Sequence, residues 1–251
     1  MHEAASSRLS EAIALLEKTG VPIEQESNNG TTPLHNAIRR GHRAAVKRLL
    51  DLGANVNTQN NKEIGTLELA TNSMDMIKLL LQYGAEINQK SRQGFTLMHK
   101  MAKQRYDDAT RDAFFKLVKL GINIDTRDNE VYTAVHTAAK SKNAQLMELC
   151  IDGGADMEIM NDAGWTPLMT VCHRQFLDGV KCLLDRGADV HATVNGSATG
   201  DAALDIAVRA GKPGIVTALL RHGADPASVR GEANAKCADV LRKWKSGSRR
   251  S

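Results

Sequence analysis

The chain has 251 residues, of which 42% are hydrophobic and 25% are charged, and its formal net charge is +4. Such a composition is typical of a folded globular domain and excludes long-range disorder, which requires fewer apolar residues. No run of about 18 apolar residues occurs, so no membrane-spanning helix is predicted. Charges interrupt residues 1–18, so no secretory signal is expected, and four cysteines are too few for a disulfide scaffold.

A glycine follows an apolar, helix-like stretch at regular intervals along the chain. It stands at Gly20, Gly53, Gly84, Gly121, Gly154, Gly187 and Gly223. A second marker keeps the same period, as Thr-Pro-Leu-His at 32–35 and in altered copies at 96–99, 133–136 and 166–169, with eroded copies at 66–68 and 202–205. A period centred on 33 residues is typical of a repeat protein.

Each period contains two short helical stretches that are too short to be stable alone. Pro33 and Pro167 are expected in the first turn of a first helix, and Pro213 is expected to open a second helix. The recurring glycine ends the second helix, where a left-handed conformation is needed. Neither helix pair can bury its apolar face alone, so the units must stack on one another.

These residues resemble the ankyrin repeat. The pattern is most complete in the unit that holds Gly30, Thr32 to His35, Ala37, Gly41-His42, Leu49-Leu50 and Gly53 to Asn57. The resemblance covers about residues 9–226. It implies an all-α fold, namely an ankyrin-repeat solenoid of stacked helix-turn-helix units with β-hairpin loops.

The period divides residues 1–245 into a single domain of six repeats between two caps. An N-terminal cap is expected at 9–26 and a C-terminal cap at 227–245, followed by a disordered tail at 246–251. The repeats are placed at 27–59, 60–90, 91–127, 128–160, 161–192 and 193–226.

Two repeats depart from the regular pattern. The repeat at 60–90 is short and carries Glu68 in place of the motif histidine, so we expect it to be among the weaker units. The repeat at 91–127 is long, and its extra residues, 105–112, predict either more helix or a protruding loop.

Catalysis has no motif to support it in this chain. The sequence lacks a phosphate-binding loop, a His-Glu-x-x-His motif and a Gly-x-Ser-x-Gly motif. His35, His99 and His136 are too far apart in sequence to form a local metal-ligand pair, and the resemblance gives them a structural role at the helix start. No enzyme activity, metal or cofactor is therefore expected.

Asn88 allows two interpretations. It stands where ankyrin proteins of animals can be hydroxylated on asparagine, but asparagine is also a common turn residue. We favour the structural role.

The resemblance implies a non-catalytic scaffold or adaptor that binds a partner protein on the concave face formed by hairpin tips and first helices. The alternatives are an enzyme or enzyme-accessory subunit with a site grafted on the stack, or a nucleic-acid-associated regulator suggested by the basic C-terminal residues. We expect a monomer in the cytoplasm, with the nucleus as the alternative, and neither a membrane nor a nucleic acid as partner.

One repeat position concentrates aromatic residues. It immediately precedes the motif threonine and holds Thr31, Ile64, Phe95, Tyr132, Trp165 and Asp201 in successive repeats. Cations recur at the ends of the first helices: Arg39, Arg40, Lys103, Lys140, Arg174 and Arg209. Because aromatic residues and arginine often dominate interface energies, we predict that Phe95, Tyr132, Trp165 and these cations bind an acidic-apolar segment of the partner.

Overall fold

The structure is a computed structural model that describes residues 22–103, 106–197, 200–230 and 232–247. The helix expected in the N-terminal cap at 9–20 lies outside the described residues. The chain forms two compact units, an N-terminal unit of Met1–Lys100 with Asp107–Asn123 and a C-terminal unit of Met101–Tyr106 with Ile124–Ser251.

Within the described ranges, regular structure is almost entirely helical. The α-helices, in chain order, are α1 Pro33–Arg39, α2 Arg43–Asp51, α3 Thr66–Leu69, α4 Met74–Gln82, α5 Leu97–Met101, α6 Asp108–Lys119, α7 Ala134–Lys140, α8 Ala144–Asp152, α9 Pro167–His173, α10 Leu177–Asp185, α11 Ala203–Arg209, α12 Pro213–Arg221 and α13 Ala235–Gly247. The all-α repeat fold predicted from the sequence is confirmed.

The helices begin where the sequence signals predicted. Pro33, Pro167 and Pro213 each stand in the first turn of a helix, where the missing backbone N–H leaves no hydrogen bond unmade. Second helices end before a glycine with positive φ, such as Gly187 at 84°, a conformation that only glycine adopts without strain.

In the C-terminal unit, first helices pack on first helices and second helices pack on second helices. The first helices α7, α9 and α11 pack on one another in order, and so do α8, α10, α12 and α13. The core between the two layers consists of small and aliphatic side chains, among them Ala138, Leu146, Val180 and Leu219, none more than 1% exposed. This close packing supplies the apolar burial that a single helix pair lacks.

The loops between repeats turn tightly and form little sheet. Most tips are closed by a backbone hydrogen bond from residue i to the carbonyl of residue i+4, as from Asp128 to Tyr132 at 2.9 Å and from Asn161 to Trp165 at 3.0 Å. In the last repeat the corresponding bond runs from Val194 to Asp201 at 2.9 Å. In the described part of the chain, β-pairing consists of isolated antiparallel bridges, Gln59 with Gly65 and Thr193 with Ala202. The hairpin loops predicted by the resemblance therefore hold their shape through turns rather than strands.

The irregular repeats still form polar contacts with the repeats that follow them. In the short repeat, α3 has only four residues, but Glu68 forms an ion pair with Lys100 of the following repeat. In the last repeat Asp205 replaces the motif histidine, and its carboxylate accepts hydrogen bonds from the backbone N–H groups of Ala202 at 2.9 Å and Arg230 at 2.6 Å. A carboxylate can therefore occupy the histidine position and still join one repeat to the next.

The long repeat uses its extra residues as helix. Asp107 caps α6, which has twelve residues where α8, α10 and α12 have nine. Of the two predicted alternatives for residues 105–112, additional helix is observed from Asp108 onward; residues 104–105 lie outside the described residues. At the other end, α13 continues to Gly247, so residues 246 and 247 are helical where a disordered tail was expected; residues 248–251 are not described.

Candidate functional site

Two aromatic side chains of the C-terminal unit stand at hairpin tips. Tyr132 and Trp165 are half-buried. Each tip is held by a buried polar residue four positions earlier: the backbone N–H of Tyr132 donates to Asp128 Oδ1 at 2.8 Å, and that of Trp165 donates to Asn161 Oδ1 at 3.1 Å. These side-chain turns fix the backbone from which both rings project.

Each tip side chain of the C-terminal unit contacts the residue eight positions later, at the end of the following first helix. The Lys140 ammonium lies 3.9 Å from the Tyr132 ring centroid, a cation–π contact. The rings of Trp165 and His173 have centroids 4.8 Å apart, and Arg209 forms an ion pair with Asp201. Tip and helix end therefore form one surface in each repeat, which we call the tip–helix face.

His136 links the two aromatic tips. Its Nδ1 accepts the backbone N–H of Thr133 at 3.4 Å and lies 3.0 Å from the Thr133 hydroxyl. Nε2 therefore carries the proton and donates it to the Trp165 carbonyl at 3.1 Å. Because Tyr132 packs edge-on against the same imidazole at 5.7 Å, the tips of two successive repeats are held in register.

The predicted cations differ in how much of their charge is neutralised. Lys140 lies 3.2 Å from the Glu130 carboxylate as well as over Tyr132, and Arg209 is paired with Asp201. Arg174 is exposed at the C-terminal cap of α9, and its side chain has no hydrogen bond or ion pair with any other described residue. The tip–helix face therefore carries less free positive charge than the sequence predicted.

The remaining predicted residues have surroundings of their own. Phe95 is half-buried in the N-terminal unit, with its ring 5.7 Å from that of His99. Arg39 donates to Asn36 Oδ1 at 2.6 Å, and Arg40 is exposed at the C-terminal cap of α1. Lys103 is exposed.

Sequence reasoning missed two members of the tip–helix face. His173 is exposed and stacks on Trp165, a contact that the sequence analysis did not predict. Glu130, which pairs with Lys140, was not considered. The spacing of eight residues between tip and helix end, repeated at 132 and 140, 165 and 173, and 201 and 209, is the signal that would have identified the first of them.

A row of polar side chains at the hairpin bases joins neighbouring repeats. In the N-terminal unit, Asn57 Oδ1 accepts the backbone N–H of Glu86, and Asn88 Oδ1 accepts that of Asn123, both at 2.9 Å. Asn88 thus has the structural role that we favoured.

Carboxylates occupy the equivalent positions in the C-terminal unit. Asp125 Oδ1 accepts the backbone N–H of Asp156 at 3.0 Å, and Glu158 Oε1 accepts that of Asp189 at 2.9 Å. Burial, followed by nearby negative charge, raises the pKa of both Asp125 and Glu158 above the ordinary value, although these hydrogen bonds act in the opposite direction.

The described residues show little that could support chemistry. Cys150, Cys172, Cys182 and Cys237 are buried and unpaired, and burial raises the pKa of Cys150 to about 12 and that of Cys182 to about 11, so their reactive thiolates are disfavoured. Across residues 22–103, 106–197, 200–230 and 232–247, no group of three or more His, Cys, Asp or Glu side chains is arranged to hold a metal ion. The same ranges contain no helix with the length and apolar character needed to cross a bilayer.

Comparison with known proteins agrees with this architecture. A family model described as "Ankyrin repeats (3 copies)" matches residues 1–60, 98–194 and 135–229. The mouse (Mus musculus) B-cell lymphoma 3 protein homolog is 30% identical over 204 residues, which cover 78% of this chain and 45% of that protein. The chicken (Gallus gallus) nuclear factor NF-kappa-B p105 subunit is 29% identical over 211 residues, covering 80% of this chain and 21% of that protein.

A solved structure shows the same fold. The crystal structure of the ankyrin repeat domain of Bcl-3, described as a unique member of the IkappaB protein family, has a TM-score of 0.73 and 28% sequence identity. The alignment covers 86% of this chain and all of that domain. By contrast, the chain spans less than half the length of the two curated relatives.

Stacked helix pairs and tight tips that present side chains on one face define a helical repeat protein built for contact with other macromolecules. This chain belongs to the ankyrin-repeat family. It is a protein-interaction domain, and the family model that matches it is not that of an enzyme family.

Proposed function

We propose that this chain is a non-catalytic scaffold or adaptor and that it binds a segment of a partner protein on the tip–helix face of the C-terminal unit. The observation that carries the proposal is the pair of half-exposed aromatic tips, Tyr132 and Trp165, held in register by His136.

This arrangement favours binding for an energetic reason. Association costs entropy whenever side chains must be immobilised, and side chains that are already fixed reduce that cost. Tyr132 is held between His136 and Lys140, while Trp165 is held by His173 and the Asn161 turn. Tyrosine and tryptophan are also among the residue types that most often dominate binding energy.

The proposal extends to the other predicted residues and to the setting of the protein. In the N-terminal unit, Phe95, Arg39 and Arg40 would form a contact surface of their own. In the C-terminal unit, Lys103, Lys140, Arg174 and Arg209 would border the aromatic tips. We propose a monomeric, non-enzymatic protein of the cytoplasm or, as the alternative, the nucleus. Four buried free cysteines agree with such a reducing compartment.

The test uses peptides selected from a displayed random library on the intact chain. Alanine at both Tyr132 and Trp165 is expected to weaken binding of the selected peptides by about 2 kcal/mol or more, which is about 30-fold in Kd. Circular dichroism of the double variant checks that the repeat stack still folds.

Tyr83→Ala is the matched control, because Tyr83 is an aromatic side chain at the C-terminal cap of α4, a second helix of the N-terminal unit. It should leave the affinity unchanged. Equal affinity of the parent and the folded double variant would contradict the proposal, and the additional helix at 108–112 would then become the next candidate.

A further inference from the structure

The charges on the tip–helix face are unevenly balanced. Glu130 lies beside Lys140 with its side chain 69% exposed, and Asp201 pairs with Arg209 with its side chain 31% exposed. Asp162 is exposed in the same hairpin as Trp165. Between the repeats that carry Glu130 and Asp201, Arg174 is an exposed cation with no partner among the described residues.

We infer that the bound segment presents a single carboxylate to Arg174 beside an apolar side chain on Trp165, and that its flanking residues are neutral or basic. The inference rests on the proposed function and specifies its partner chemistry. The sequence predicted an acidic-apolar segment of the partner, and we expect that segment to contain one acidic residue.

The free cation determines where the acid binds. A guanidinium donates two parallel hydrogen bonds to a carboxylate, and such charge-assisted pairs are stronger than neutral ones. Arg174 directly follows His173, whose ring packs against Trp165, so the guanidinium is placed on the same repeat as the aromatic tip. The carboxylate would therefore bind on the same repeat as Trp165.

The carboxylates on the two neighbouring repeats limit the bound segment to one acidic residue. A second acid reaching the preceding repeat would approach Glu130, which already neutralises Lys140. A second acid reaching the following repeat would approach Asp201, which already neutralises Arg209. Like charges brought together at an interface are unfavourable, so a run of acids is selected against.

The experiment selects peptides from a displayed random dodecapeptide library on the parent chain and, in parallel, on Arg174→Glu. The Arg174 side chain is exposed and has no hydrogen bond or ion pair with another described residue, and a cooperative thermal transition will verify that the variant folds. We expect parent-selected peptides to carry one Asp or Glu beside an apolar residue and to bind Arg174→Glu at least tenfold more weakly. Changing that acid to lysine should restore binding to Arg174→Glu.

Two further variants sharpen the test. Arg221→Glu changes an exposed arginine in the last turn of the second helix α12, outside the tip–helix face, and should leave affinity unchanged. Glu130→Gln removes the flanking carboxylate and should let peptides with a second acid bind as tightly as peptides with one. Synthetic peptides ending in an amide and in a free acid distinguish a side-chain carboxylate from a chain terminus.

The outcomes separate the two proposals. Peptides that lose affinity with the Tyr132 and Trp165 double variant but bind Arg174→Glu as tightly as the parent would overturn the single-carboxylate inference and leave the proposed function standing. Peptides that are indifferent to the double variant would overturn both.

Discussion

The Nζ atom of Lys140 lies 3.9 Å from the centroid of the Tyr132 ring, and the same ammonium lies 3.2 Å from the Glu130 carboxylate. The ring contact is partly shielded from solvent because Tyr132 also packs on His136, whereas the Glu130 side chain is 69% exposed. The aromatic contact should therefore contribute more to stability than the ion pair does.

Double-mutant cycles test which of the two contacts contributes more to stability. Combining Lys140→Met with Tyr132→Leu should give a coupling free energy of about 0.5–1 kcal/mol in urea denaturation. Combining Lys140→Met with Glu130→Gln should give a smaller coupling, as is usual for exposed ion pairs. A larger coupling to Glu130 than to Tyr132 would contradict the expectation.

The hairpin-base row predicts a stabilising substitution at Asp125. Asn57 and Asn88 occupy the same position in earlier repeats and accept the same backbone hydrogen bond without a charge. Because burial raises the pKa of Asp125, its ionised form costs folding free energy at neutral pH. Asp125→Asn should therefore raise the free energy of unfolding at pH 7 by several tenths of a kcal/mol, a modest gain because solvent screens this partly exposed group.

The pH dependence of that gain has a definite sign. The native state holds the Asp125 proton more tightly than the unfolded state, so the parent gains stability from this group as pH falls towards its ordinary pKa. The difference between Asp125→Asn and the parent should shrink from pH 7 to pH 4.5. The reciprocal change, Asn88→Asp, should lower stability at pH 7. A gain for Asp125→Asn that stays constant with pH would argue against burial of the charge as its cause.

Val131 predicts a second stabilising change. It has φ 59° at the hairpin position where Gly30, Gly94 and Gly164 have φ between 70° and 78°. A β-branched residue in this left-handed region is strained, whereas glycine is not. Val131→Gly should therefore raise the free energy of unfolding by about 0.5–1 kcal/mol, because the relief of strain exceeds the entropic cost of glycine.

The reverse substitution provides the control for Val131. A Cβ atom at Gly164 would clash with Asn195 Oδ1 and come 2.8 Å from the Asn195 backbone nitrogen. Gly164→Val should therefore lose about 2 kcal/mol or more. Thermal and urea denaturation measure both variants, and a loss of stability in Val131→Gly would show that the strain is not relieved.

His35 makes stability depend on pH near neutrality. Its Nδ1 accepts the backbone N–H of Thr32 at 3.2 Å and lies 2.8 Å from the Thr32 hydroxyl. Burial lowers the pKa of the imidazole. The folded state therefore favours the neutral ring. The contribution of His35 to the free energy of unfolding is fully present above the ordinary pKa of about 6.5 and is lost as pH falls below that value.

His35→Gln tests this dependence because glutamine can accept the same hydrogen bond but does not titrate. The variant should be less stable than the parent at pH 7.5, and its stability should fall less between pH 7.5 and pH 5.5. His99 and His136 are present in both proteins, so the difference between the two pH profiles isolates His35. Parallel profiles would show that protonation of His35 does not affect folding.

The sequence by itself determined the repeat period, the paired helices, the place of Pro33 in the first turn of a helix and the structural use of His35 and His136. These features were predictable because repeat proteins are stabilised by contacts within a unit and between neighbouring units, so a local pattern with a fixed period carries most of the information. The aromatic tips Tyr132 and Trp165 could be located for the same reason.

Only the tertiary structure decided which charges remain available. Glu130 and Lys140 are ten residues apart, which is neither a helical spacing nor the repeat period, and Glu68 pairs with Lys100, 32 residues away in the next repeat. Such pairs form where loop geometry and packing bring two long side chains together, and no helical or strand periodicity encodes that distance. Periodicity therefore placed a cation near the end of the first helix in five of the six repeats, whereas folding neutralised Lys140 and Arg209 and left Arg174 exposed.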